Sequence, residues 1–128
     1  GLFLLKFNAW MDRHLTTNKD AEDMSFILDN YLMANLDREA YMEVYDWEDF
    51  DEYVAGGYWL ANDLAKLLNR DQLVYYADKI DEELQLEERS YLISQTLNSQ
   101  SGLNYDQVRR TWQVISEVFR SATEERDL

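Results

Sequence analysis

The chain has 128 residues, 46% of them hydrophobic and 14% aromatic, which suits one domain with a buried core and excludes a disordered segment. It has no cysteine and a single histidine, which excludes a disulfide framework, a thiolate metal site and a cluster of histidine ligands. The formal net charge of −14 opposes the approach of phosphates, so we expect no direct binding to nucleic acid.

The sequence predicts an all-α fold, a bundle of six to seven helices in a single domain over residues 1–128. It has no proline, only four glycines, and no run of alternating β-branched residues that would favour a strand. Thr17 or Asn18 and the segment 69–71 are placed to cap the helices that follow them. The predicted helices span residues 2–15, 19–33, 37–45, 49–68, 72–84, 87–97 and 105–123.

Two adjacent glycines, Gly56 and Gly57, fall inside the fourth predicted helix. Each costs roughly 1 kcal/mol against alanine in a helix interior. We therefore expect them to allow the close approach of another backbone.

The first predicted helix combines an apolar sequence with fixed charges. Leu2 to Leu5 form an apolar run with no capping residue ahead of it. We expect this helix to be largely buried and its opening face to be covered by a part of the molecule that this chain lacks. Lys6 and Arg13 stand seven residues apart, which places both cations on one helix face.

Two kinds of partner fit these cations, because an isolated buried ammonium is very costly and must find an anion or lose its proton. Asp20 and Asp23 lie near the start of the second predicted helix, close to the first helix if the two pack antiparallel. An acid in a first helical turn is also favoured by the helix dipole. Alternatively, Lys6 and Arg13 face a ligand phosphate or a metal-bound triphosphate held elsewhere in the molecule. Helix periodicity does not choose between these alternatives.

The acidic charge is concentrated in one stretch. Residues 37–52 hold eight acids against one arginine, a net charge of −7 and half of the total. A solvated surface is the simplest interpretation, and a mimic of nucleic-acid phosphates is the alternative. No apolar run approaches the roughly 20 residues of a membrane span, so we expect a cytoplasmic protein without membrane contact.

A loose set of aromatic residues could hold a ring-containing acceptor. Aromatic side chains more often fill a core, so a structural role is the simpler interpretation. The set comprises Trp47, Tyr53, Tyr58, Trp59, Tyr75, Tyr76 and Tyr91.

Several segments resemble the second half of predicted nucleotidyltransferases of the DNA polymerase β-like superfamily, related to the abortive-infection toxin enzymes. The family patterns are KLxAWxDR, then KDxxDIxxIL, and later GxxLLGRDIAKLL. The residues that match the first two are Lys6, Ala9, Trp10, Asp12, Arg13, Lys19, Asp20 and Asp23. Residues 57–68 resemble the third pattern, with Ala61 in place of Gly and Asn62 in place of Arg. Residues 97–119 are similar to the family's final glycine turn and helix.

The resemblance implies that this chain holds only part of a nucleotidyl-transfer site. By the resemblance, Lys6 and Arg13 bind the nucleotide's phosphates. The supporting charged cluster that it implies is Asp12, Lys19, Asp20 and Asp23. The family's strand-rich N-terminal subdomain, with a Gly-rich loop for the triphosphate and an Asp-x-Asp pair for divalent ions, has no counterpart in this sequence. Asp49-Phe50-Asp51 has the spacing, but no Gly-rich loop precedes it.

We therefore interpret the chain as the C-terminal helical portion of a nucleotidyltransferase-like protein, inactive alone. Mg²⁺ and a nucleoside triphosphate are expected only with the missing N-terminal subdomain. One alternative is a non-enzymatic acidic interaction protein, an inhibitor or adaptor, with the edge Leu2–Leu5 as its contact. Another is a partner subunit of a separate minimal nucleotidyltransferase. The apolar edge also predicts a homo-oligomer.

Overall fold

The computed structural model describes residues 1–127 and shows an all-helical bundle, as predicted. Within this range there is no strand, and no helix has the length and apolar character that crossing a bilayer requires. The α-helices are α1 (Leu2–Arg13), α2 (Lys19–Ala34), α3 (Glu52–Ala65), α4 (Arg70–Leu86), α5 (Tyr91–Leu97) and α6 (Tyr105–Arg126). Two short 3₁₀ helices span Met42–Asp46 and Glu87–Arg89.

Two of the predicted helices differ from the structure. The segment 37–45 forms only the first 3₁₀ helix, because Tyr41 has a left-handed backbone, with φ 53°, through which an α-helix does not continue. The predicted helix 87–97 is divided into the second 3₁₀ helix and α5, because Ser90 between them has an extended backbone with ψ 122°. The Ser90 hydroxyl caps α5 by accepting the N–H of Ile93 at 3.1 Å.

Side-chain caps also determine where three further helices begin. Asp51 accepts two N–H groups from the first turn of α3. Asn69 and Gln72 form a capping box at the start of α4, which confirms the predicted cap in 69–71. Asn104 and Gln107 form a second capping box at the start of α6.

The longest helix, α6, organises the bundle by packing against both α3 and α4. α3 and α6 run parallel: Gln107 donates to Asp51 at their N-terminal ends, and Arg126 donates to the carbonyl of Ala65 at their C-terminal ends. α2 packs on α3, and α1 packs on α2. The core between them contains large side chains from every α-helix, including Phe7, Met24, Tyr53, Leu73, Leu92 and Trp112.

The two glycines of α3 lie where neighbouring helices pack closely against it. A Cβ atom at Gly56 would overlap the carbonyl oxygen of Leu28 in α2. A Cβ atom at Gly57 would lie 2.7 Å from Cγ2 of Thr111 in α6. The expected close approach of another backbone is therefore confirmed for Gly56, whereas Gly57 makes room for a side chain.

α1 is covered on one face only, so the expectation of a largely buried helix is wrong. Phe3, Phe7 and Trp10 are buried against the bundle. Leu2 and Leu5 are 62% and 66% exposed. The helix is amphipathic, with an apolar edge open to solvent.

Candidate functional site

Five of the six predicted site residues meet where α1 and α2 form an antiparallel hairpin. Lys6 Nζ lies 2.7 Å from Asp23 Oδ2. The Arg13 guanidinium donates to both carboxylate oxygens of Asp20, at 2.6 and 2.7 Å. Lys19 Nζ is 3.9 Å from the other oxygen of Asp23. We call these five residues the charge cluster.

The turn between the helices brings the cluster together. The N–H groups of Thr16 and Thr17 bond to the carbonyl of Arg13, which reverses the chain directly after α1. Thr17 Oγ1 then accepts the N–H of Lys19 at 3.2 Å, while Asn18 makes no side-chain capping bond. Of the two predicted caps, Thr17 is therefore the one whose side chain bonds to the start of α2.

Arg13 and Asp20 form a clamp between the two helices. Asp20 is only 1% exposed, and hydrogen bonding from Arg13 holds the pKa of its carboxyl below the usual value. The same hydrogen bonds raise the pKa of the Arg13 guanidinium. A buried carboxylate with both oxygens bonded to one guanidinium is a structural arrangement. Internal pairing, one of the two alternatives left open by the sequence, is therefore the observed geometry for Arg13.

The Lys6–Asp23 pair is also internal, and its carboxylate is more exposed than that of Asp20, whereas Lys6 itself is less exposed than Arg13. The side chains of Lys6 and Asp23 are 24% and 32% exposed. A partly exposed ion pair with one close contact contributes roughly 0 to 1 kcal/mol, because water competes for both charges. A strongly binding anion, such as a phosphate group, can therefore displace the Asp23 carboxylate from Lys6 with little effect on the fold. Lys19, with 69% of its side chain exposed, offers a second ammonium beside it.

Asp12, the sixth predicted residue, does not join the cluster. It is exposed on α1 and forms no ion pair within residues 1–127. Helical spacing places it well away from Lys6 around the helix.

The segment Asp49-Phe50-Asp51 does not fit a magnesium site. Asp51 uses one carboxylate oxygen to cap α3 and the other to accept the Gln107 amide at 2.8 Å. Both oxygens already serve as acceptors, whereas Mg²⁺ requires oxygen ligands open to it. Across residues 1–127, no three His, Asp or Glu side chains converge as metal ligands would.

A second charged centre, around Asp63 in α3, was missed by the sequence analysis. The Arg38 guanidinium donates to both of its oxygens, at 2.6 and 2.8 Å. The hydroxyls of Tyr31 and Tyr41 also donate to it. The pKa of Tyr31 is raised to about 12, mainly by burial and secondly by the hydrogen bond to Asp63. The centre attaches the segment 35–41 to α3. The sequence feature that could have indicated it is Arg38, the lone cation among the acids of 37–52.

The predicted aromatic patch is divided in the structure. Tyr53 and Trp59 are buried, in agreement with the structural interpretation. Trp47 and Tyr58 are half-buried and pack edge-on, with ring centroids 5.2 Å apart. The remaining members contact α1 or the turn after it: Tyr75, Tyr76 and Tyr91.

Comparison with models of protein families, with curated proteins and with solved structures finds no match to this chain. Function must therefore be inferred from the sequence motifs and from the geometry of the charge cluster.

Proposed function

We propose that this chain is the helical domain of a nucleotidyltransferase-like protein and that the charge cluster forms the phosphate-binding side of its site. One geometric observation supports the motif resemblance: the ammonium groups of Lys6 and Lys19 flank Asp23 at a partly open surface. Nucleotidyl transfer depends on positioning the triphosphate and on stabilising its charge. Two accessible ammonium groups on one hairpin are suited to that task.

Lys6 is the residue that we assign to phosphate contact. Its present partner, Asp23, is partly exposed, so phosphate oxygens can take the place of the carboxylate. Arg13 has a different role in this proposal, because releasing it would leave the carboxylate of Asp20 buried and unpaired. We therefore assign Arg13 and Asp20 to positioning of the hairpin, which differs from the phosphate contact that the resemblance implies for Arg13.

The chain supplies only part of the chemistry in this proposal. It binds and orients the triphosphate, whereas the magnesium ligands and the catalytic carboxylates belong to a separate subdomain or subunit. Asp51 is committed to capping a helix and contributes no metal ligand. The chain alone is expected to carry out no transfer.

Titration of the ¹⁵N-labelled chain with ATP tests the phosphate contact. We expect amide shifts concentrated in α1 and in the first turn of α2, with a dissociation constant of roughly 1 mM, about −4 kcal/mol. The affinity is low because one partly exposed and one exposed ammonium group act against a net charge of −14. Lys6→Ala should abolish these shifts. Lys79→Ala removes a lysine of α4 that is paired with Glu82, and it should leave the shifts unchanged.

Urea denaturation of the Lys6→Ala variant supplies the control on folding. Its free energy of unfolding should fall by less than about 1 kcal/mol, because the ion pair is partly exposed. A loss of several kcal/mol would identify Lys6 as a structural residue. Shifts scattered over the whole surface, or unchanged by Lys6→Ala, would count against the phosphate contact.

A non-enzymatic interaction protein is the second candidate, and the outer surface of the α1–α2 hairpin favours it. Leu2 and Leu5 on α1 and Phe26 on α2 are each more than 60% exposed. Large apolar side chains gathered on one hairpin are typical of a contact surface. Both predicted phosphate-binding cations also have internal acidic partners.

Sedimentation velocity tests this contact surface. We expect the chain to self-associate reversibly as its concentration rises, because association removes these leucines from water. The double variant Leu2→Ser, Leu5→Ser should weaken association several-fold. Leu67→Ser, which changes an exposed leucine beyond the end of α3, should leave association unchanged. A monomer at every concentration would reject self-association through this edge.

A further inference from the structure

A cavity of about 500 Å³ lies between the segment around Trp47 and the C-terminal halves of α3 and α6. Its volume falls within the roughly 300–1,000 Å³ that small-molecule sites occupy. Trp47 and Tyr58 form an aromatic wall, Val118 is one of several apolar α6 side chains beside it, and Glu117 lines the same space. None of the lining residues belongs to the charge cluster, so this cavity is independent of the proposed phosphate contact.

The aromatic wall belongs to a group of rings that already attracts cations. Lys66 Nζ lies 5.0 Å from the centroid of the Tyr41 ring, and Arg38 Cζ lies 5.8 Å from it. Tyr41 packs edge-on against Tyr58, with ring centroids 6.4 Å apart, and Tyr58 packs edge-on against Trp47. Aromatic faces attract cations through the ring quadrupole. Within residues 1–127, Trp47 and Tyr58 have no cation over their own rings.

Carboxylates accompany the aromatic wall. One oxygen of Glu117 accepts the Gln113 amide at 3.2 Å, and the other accepts no hydrogen bond within the described chain. The Tyr58 hydroxyl donates to Glu43 at 2.6 Å, which places a second carboxylate at this end. An aromatic surface with adjacent negative charge stabilises a positively charged group.

The two cations that line the cavity are already engaged. Lys66 lies over the Tyr41 ring, and Arg126 donates to the carbonyl of Ala65 at 2.7 Å. Both stand at the C-terminal ends of α3 and α6, where the helix dipoles disfavour an anion. The cavity is therefore better suited to a cationic ligand than to an anionic one.

We propose that this cavity binds a small organic cation with an apolar body, its charged nitrogen over Trp47 and Tyr58 and paired with Glu117. The apolar body contacts Val118 and its α6 neighbours. The site neither requires nor excludes the nucleotidyltransferase proposal, because it shares no residue with the charge cluster.

Calorimetric titration of the full chain with choline and with 3,3-dimethyl-1-butanol, its uncharged isostere, tests the proposal. We expect choline to bind at least about tenfold more tightly, since only choline gains the charge interactions. Glu117→Gln and Trp47→Leu should each weaken choline binding about five- to tenfold. Glu124→Gln, a change of an α6 carboxylate outside the cavity lining, should have no effect.

Three results would overturn the proposal. Equal affinity for choline and for its uncharged isostere would show that the cavity binds apolar groups without selectivity for charge. Unchanged choline affinity in Glu117→Gln would disprove the ion pair between the ligand and Glu117. This variant also keeps the test decisive if Trp47→Leu fails to fold. A short peptide with one trimethyllysine is the third probe, and tighter binding of the peptide would overturn the assignment to a small molecule.

Discussion

Replacing Asp63 with alanine should lower the free energy of unfolding by roughly 2 to 4 kcal/mol. The variant leaves Arg38, Tyr31 and Tyr41 without the acceptor that all three share. Asp63 accepts four hydrogen bonds, whereas the similarly exposed Lys6–Asp23 pair has one close contact, so the loss of Asp63 costs more. Urea denaturation at neutral pH measures the difference.

The pH dependence of stability identifies the carboxylate as the cause. Hydrogen bonding from Arg38 holds the pKa of Asp63 below its usual value, so ionised Asp63 stabilises the native state fully above about pH 4. That contribution is lost as the pH falls through the lowered pKa. Wild type should therefore lose more stability below about pH 4 than Asp63→Ala does.

An exposed ion pair provides the control for this experiment. Asp127→Ala removes the partner of Arg70, and both side chains are at least half exposed. We expect that variant to lose less than about 1 kcal/mol. If Asp63→Ala lost no more than the control, or kept the acid dependence of wild type, Asp63 would not be the attachment point of the segment 35–41.

Gly56→Ala should destabilise the fold by roughly 2 to 3 kcal/mol, although alanine favours a helix by about 1 kcal/mol over glycine. The added Cβ would overlap the carbonyl oxygen of Leu28, which is backbone and cannot rotate away. α2 and α3 must therefore move apart and lose packing. Denaturant unfolding and the melting temperature both report this loss.

The neighbouring glycine offers a matched comparison. At Gly57 the added Cβ would meet Cγ2 of Thr111, a side-chain methyl. Thr111→Ser removes that methyl and keeps the hydroxyl that donates to the carbonyl of Gln107. In a double-mutant cycle, Thr111→Ser should restore the stability lost in Gly57→Ala and should not restore that lost in Gly56→Ala. A Gly56→Ala variant as stable as wild type would disprove the close approach of α2 and α3.

Helices with a continuous apolar stripe were predictable from the sequence. α2 and α6 both begin at the predicted residue, because periodic apolar residues and polar turns mark them. The segment 37–45 contains good helix formers but no such stripe, and its conformation depends on tertiary contacts. Arg38 bonds to Asp63, which is distant in sequence, and Tyr41 adopts a left-handed backbone. Local sequence patterns predict neither this long-range ion pair nor this backbone conformation.

The candidate site was predictable in its composition but only partly in its geometry. Spacing placed Lys6 and Arg13 on one face and brought Asp20 and Asp23 near them. Spacing did not show that Asp20 is buried while Asp23 is partly exposed, since exposure depends on how α1 lies against the bundle. That difference distinguishes the Arg13–Asp20 clamp from the Lys6–Asp23 pair, whose carboxylate is reached by water. Asp12 was included through the motif, yet it lies outside the cluster.

Asp51 links the starts of two helices that are far apart in the sequence. One of its oxygens holds the first turn of α3, and the other holds the amide of Gln107, whose own oxygen accepts the N–H of Asn104 at the start of α6. Fraying of either helix start removes a hydrogen-bond partner from the other. We therefore expect the two ends to open together, with the order of α3 limiting the local unfolding of α6.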